Sequence, residues 1–164
     1  MPSTDPEGSQ LLGIYLNDHL GGSTTGVELA KRTAKANRGT EFGGPLQRLA
    51  SEIDEDRESL KRILDRLEVR PDRLKVAAAW AMEKAGRLKP NGRLRGYSPL
   101  SRVVEVEALV TGVSGKLSLW RALETVAPTE PRLDADLTAL AQRAEDQLQR
   151  LHALRDRAAA VAFA

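Results

Sequence analysis

The stretch Leu109–Trp120, LVTGVSGKLSLW, contains a Gly-Lys pair of the kind that closes a phosphate-binding loop. Such a loop also needs an earlier glycine at fixed spacing and a hydroxyl directly after the lysine. Its backbone amides cradle the phosphates, and the hydroxyl holds magnesium. The two positions are Val110 and Leu117 here, so both mechanical parts are missing. The preceding VVEVEA keeps the same helical phase as the apolar residues that follow, and the spacing predicts a helix running straight through the glycines.

The remaining chemistry rests on few side chains. With no cysteine and two histidines, thiolate ligands, disulfides and thiol nucleophiles are excluded. His19 falls near the centre of an apolar face with Leu12, Tyr15 and Leu16, whereas His152 lies toward the rim of its helix. Glu52 and Asp56 are one turn apart on the second helix. His19, Glu52, Asp56 and Glu105 are therefore the candidate metal ligands, a donor set that suits iron, manganese or zinc. The same interior supports a different arrangement, a buried polar network of His19, Asp56, Arg57 and Lys116. Lys116 keeps step with Leu109, Val113, Trp120 and Leu123, so its stem should pack and its ammonium needs a partner. Paired with Asp56 or Glu105, it would fill the space of a bundle-centre metal with a protein cation.

Charge offers one more candidate. The chain carries 25 basic and 23 acidic residues, a balance that does not call for a polyanion. Between Glu83 and Glu105, however, there is no acid, while Lys84, Arg87, Lys89, Arg93, Arg95 and Arg102 all fall in that window. Arg87, Lys89, Arg93, Arg95 and Arg102 form a possible anion-binding group, with Tyr97 as a stacking residue. One aromatic and no recognition motif do not point to nucleic acid, and a solvated basic loop is the competing reading.

These residues have to be positioned by helices. Residues 1–10 are expected to be a loose tail and 11–164 a single domain. A first helix is expected over 11–37, either unbroken or interrupted at Gly21-Gly22 with Thr25 as a new cap and Glu28 completing a capping box. Leu46, Leu49, Ile53, Leu60, Ile63, Leu64 and Leu67 define a second helix after Pro45. A short helix follows from about Asp72 to Leu88. Ser98 caps the next, with Pro99 in its first turn, and its apolar residues continue to about Val126. The last runs from about Arg132 to Ala162, with Leu133, Leu137, Leu140, Ala144, Leu148 and Leu151 as its seam. No strand and no internal repeat is legible.

The expected fold is thus all-α: an antiparallel four-helix bundle with an additional short helix in the crossover. This arrangement resembles the ferritin-like class, in which a long crossover joins two helix pairs. The resemblance implies a centre of two metals held by a glutamate on each of two helices and Glu-x-x-His on each of the others. Neither Glu-x-x-His nor its reverse occurs in this chain. Glu52-Ile53-Asp54-Glu55 keeps only the first glutamate, and Asp146-Gln147-Leu148-Gln149 has neither member.

No complete catalytic set is present. The expectation is a non-catalytic helical-bundle protein without a cofactor, a cytoplasmic homodimer acting in interaction or scaffolding. The alternatives are a divergent metal-binding bundle and polyanion binding through residues 84–102. No segment is apolar for long enough to span a membrane, and no secretory signal is expected from MPSTDPEGSQ.

Overall fold

The computed structural model of the chain describes residues 6–74, 77, 78, 81 and 97–164. Its long helices are α1 (Pro6–Ala36), α2 (Gly43–Arg66), α3 (Pro99–Val126) and α4 (Leu137–Phe163), with a 3-10 turn, Ala127–Thr129, after α3. The fold is all-α, as its periodicity predicts. Pro6–Gln10 are helical rather than part of a loose tail, because proline is tolerated in a first turn and Glu7 complements the positive end of the helix dipole there. Leu137, not Arg132, begins α4, since Asp136 accepts from the Ala139 amide and caps the helix at that point. Leu133 is buried in the turn before it.

α1 is unbroken through Gly21-Gly22, and α3 runs through Gly112 and Gly115. The Ser98 hydroxyl accepts from the Ser101 amide at 3.0 Å, with Pro99 in the first turn, as the capping signal predicts. In the crossover, Arg73, Leu74, Ala77, Ala78 and Ala81 are helical. The rest of the expected short helix lies outside the described residues, as do Arg87, Lys89, Arg93 and Arg95.

The directions of the helices follow from which residues meet. Glu52, Asp56 and Glu41 on or before α2 face Arg150, Arg143 and Arg157 of α4 in reversed order, so α2 and α4 are antiparallel. α1 and α2 are joined by a short turn, as are α3 and α4, which makes two antiparallel hairpins. Thr33 near the end of α1 bonds Glu105 near the start of α3, so these too are antiparallel. α2 and α3 therefore run the same way, so the end of α2 and the start of α3 lie at opposite ends of the bundle. The start of the link between them is tied to α1 by Asn17. Its side-chain Oδ1 accepts from the Asp72 backbone amide at 2.6 Å, and its side-chain Nδ2 donates to the Arg70 backbone carbonyl at 3.2 Å.

Within each hairpin the backbones approach closely, whereas α1 meets α3 over a shorter stretch. Leu16, Leu20, Val27, Ala30 and Ala34 of α1 are buried with Leu46, Leu49, Ile53, Leu60, Ile63 and Leu64 of α2. Val103, Val106, Leu109, Val113, Trp120 and Leu123 of α3 complete the core with Leu137, Ala141, Ala144, Leu151, Leu154 and Ala158 of α4.

One corner depends on an absent side chain. A Cβ on Gly43 would lie 2.6 Å from the Asn37 carbonyl oxygen. That carbonyl already accepts from Thr40, and the Asn37 side chain is fully buried. Neither group has room to move. Gly43→Ala is expected to destabilise the fold by about 1–3 kcal/mol, the typical range for overpacking, measured by urea denaturation.

Candidate functional site

Three helices each place a polar residue where the apolar stripe leaves a gap. On α2, Asp56 stands between Ile53 and Leu60. On α3, Lys116 stands between Val113 and Trp120, and on α4 Gln147 stands between Ala144 and Leu151. Alternating steps of three and four keep such positions on one face, so all three turn inward.

They meet. The Asp56 side chain is fully buried, and both of its oxygens are taken: Lys116 and Gln147 donate to Oδ2, and Arg143 donates to Oδ1. Lys116 also donates to Gln147 Oε1, while Gln147 Nε2 reaches Asp56 at 3.1 Å and Glu52 at 3.3 Å. Toward the surface, Arg150 forks onto Glu52, Arg143 reaches Glu55 at 3.3 Å, and Arg150 pairs with Asp146 at 2.7 Å. Burial pushes the Lys116 ammonium below the ordinary lysine range, and the Asp56 charge opposes that shift. The Arg150 fork holds the Glu52 carboxyl below the usual carboxylate range, against partial burial.

The expected network of His19, Asp56, Arg57 and Lys116 is therefore half assembled. Arg57 turns outward to Asp54 and Glu58, and Arg143 and Gln147 join instead. His19 is half-buried, edge-on to Tyr15 with ring centroids 4.6 Å apart. Burial lowers its pKa and Asp18 opposes the shift, which leaves the imidazole neutral at pH 7.

The expected metal set does not converge. Glu105 lies eleven residues before Lys116 on α3, about 16 Å along the axis. It is held at another level by Tyr97 (2.8 Å), Thr33 (3.1 Å) and Arg32 (3.4 Å). Burial, and then the Glu105 charge, push the Tyr97 phenol far above its ordinary range. Among the described residues no group of three His, Asp or Glu side chains could hold a metal ion. Arg102 of the expected anion-binding group is committed to structure. Its guanidinium lies 4.3 Å from the centre of the Phe42 ring and donates to Asn37 Oδ1.

Beside the network, between α1 and α3, lies a cavity of about 320 Å³. Asp56, Lys116 and Trp120 contribute to its lining, as do His19, Gly22 and Gly26 of α1 and Gly112 and Gly115 of α3. A Cβ added to any of these four glycines would meet nothing within 4 Å among the described residues. They therefore face open space rather than a neighbouring backbone. Each costs about 1 kcal/mol against alanine in a helix interior, without a packing contact in return.

No protein-family model, curated protein or solved structure matches the chain.

The network makes the fold sensitive to substitution and to acid. Asp56→Ala leaves two cations around a buried gap and should destabilise the fold by about 3–5 kcal/mol. Asp56→Leu combined with Lys116→Met should recover much of that loss, which a double-mutant cycle measures. Glu52 has a depressed pKa in the folded chain, so its contribution is complete above its unfolded value of 4.5 and fades as pH falls through the lower folded value. Glu52→Gln should accordingly flatten the acid limb of a stability-against-pH curve and leave the slope near neutral pH unchanged.

Proposed function

We propose that the chain is a non-catalytic helical-bundle protein that works by association, a second copy of itself being its first partner. One observation carries the non-catalytic part of this reading: the carboxylate at the bundle centre is fully committed. Asp56 accepts three hydrogen bonds, from Lys116, Gln147 and Arg143, and two of those donors are cations, which disfavours its taking up a metal or a substrate proton. The helix order, two antiparallel pairs joined by a crossover, supports a ferritin-like architecture. On this reading a lysine ammonium stands where that class places its metals.

Association is supported by apolar side chains left in solvent. Leu100 and Val104 near the start of α3 and Val161 and Phe163 near the end of α4 are exposed, Phe163 at 69%. The α3–α4 hairpin brings both pairs to one end of the bundle. A patch of this kind, repeated on a second copy, suits a two-fold contact. Among the described residues no helix is long and apolar enough to cross a membrane.

The divergent metal-binding alternative, with iron, manganese or zinc, is left with His19, Glu52 and Asp56, because Glu105 is held at another level of the bundle. Sedimentation across a concentration series, paired with metal analysis of protein prepared without chelator, tests both readings. The expected outcome is a concentration-dependent dimer without stoichiometric first-row metal, converted to monomer by Val104→Glu with Phe163→Glu. A monomer at every concentration overturns association, and one bound metal per chain overturns the committed centre.

A further inference from the structure

We propose that the cavity between α1 and α3 is a binding site for a small molecule with an apolar body and a carboxylate head. The volume, about 320 Å³, is at the lower end of what small-molecule sites occupy. Its walls carry glycines on both helices, and no described atom uses the space that their missing side chains leave. Glycines alone would not make a site. The polar groups around the cavity supply the second observation.

Asp18 lines the cavity too, on its solvent-exposed side, but the buried polar groups include donors without acceptors. Trp120 is 1% exposed, and its indole N–H has no hydrogen-bond partner among the described residues. The Arg57 Nε–H is likewise buried and unpartnered. Lys116 has three N–H bonds and finds two acceptors, Asp56 and Gln147. The buried carboxylate of the lining, Asp56, already accepts on both of its oxygens. Two of these donors, Arg57 and Lys116, are cations on the cavity wall, each with an N–H bond unused among the described residues. An unpaired buried donor loses its water without replacement, and a ligand oxygen restores the bond. An anionic head answers the charge as well as the missing acceptors. The rest of the lining is largely apolar, including Ile53, Leu60 and Leu109, and suits a hydrocarbon or aromatic body.

The test uses decanoate, below its micelle-forming concentration, and decanol as the neutral counterpart. A Trp80→Phe background leaves Trp120 as the single tryptophan. Decanoate is expected to shift the Trp120 indole N–H resonance saturably, at one molecule per chain, with decanol at least tenfold weaker. Gly112→Leu should lower decanoate affinity at least tenfold while keeping helix content and the thermal midpoint at or above those of the parent. Gly22→Leu fills the same space from the opposite wall and should do the same, which guards against a local defect in α3. The proposal is overturned if decanoate leaves the Trp120 resonance unmoved, if decanol binds equally well, or if both leucine variants bind like the parent. It is also overturned if the leucine variants change only the sedimentation coefficient, since the space would then receive a second copy of the chain.

Discussion

A single carboxylate sits where the helical pattern calls for a leucine, and the rest of the molecule is arranged around satisfying it. The Asp56 side chain has no exposed surface. Left alone there, a charged carboxylate would lose several kcal/mol of hydration, comparable with the whole stability of a small domain. The compensating groups come from α3 and α4, with Lys116 from the first and Arg143 and Gln147 from the second. Leucines tolerate a shift along a helix, since one apolar contact replaces another. An ion pair has one register. Slipping α4 by a turn would move Arg143 and Gln147 about 5 Å and strand Asp56 with its charge.

The bundle consequently has two unlike seams. Inside each hairpin, α1 against α2 and α3 against α4, packing is close and apolar. Along one junction between the hairpins, α2 and α4 meet through long side chains: Arg150 with Glu52, Arg143 with Glu55 and Asp56, Gln147 bridging. Along the other, α1 faces α3 across glycines, and contact is restored toward the Thr33 and Glu105 end. At the level of the network α1 offers Ser23, whose hydroxyl turns back onto the Leu20 carbonyl of its own helix. It asks nothing of Asp56. α1 is secured elsewhere, by the α2 packing and by Asn17 holding the first residues of the crossover.

Much of this is legible in the residues. Periodicity carries the number and order of the helices, because burying a stripe of leucine and valine leaves few alternatives. It also carries α1 through Gly21-Gly22 and α3 through Gly112, where glycine alone would suggest breaks. Asp56 and Lys116 are legible as inward-facing since each fills a step in such a stripe. Gln147 gives the same signal, but Leu148 beside it fits the seam equally well, and a leucine claims an apolar position more readily than an amide. Arg143 gives none: its stem starts at the rim, and only length lets its guanidinium reach inward. Glu105 misleads for a related reason: a helical wheel reports angle and discards height, so residues at different levels look like neighbours. His19 does border the same cavity as Asp56 and Lys116, but its ring packs on Tyr15 of its own helix. Whether the glycines enclose space or close contact is equally out of reach, since that depends on the distance between helices.

The two features beside each other, a committed ion pair and an open glycine groove, explain one another energetically. Four helix-interior glycines remove roughly 3–4 kcal/mol of helix stability relative to alanine. That is a large fraction of the roughly 5–15 kcal/mol typical of a folded domain, so the groove is tolerable only where the adjoining structure does not rely on α1–α3 packing. The network meets that condition because Asp56 and Lys116, which help line the groove, are held from behind by Gln147 and Arg143 of α4. Had Lys116 depended on a partner across the groove, α1 would have been drawn against α3 and the space closed. With its floor anchored on the far side, the bundle can leave that junction unfilled and still fix the positions of the charged groups that border it.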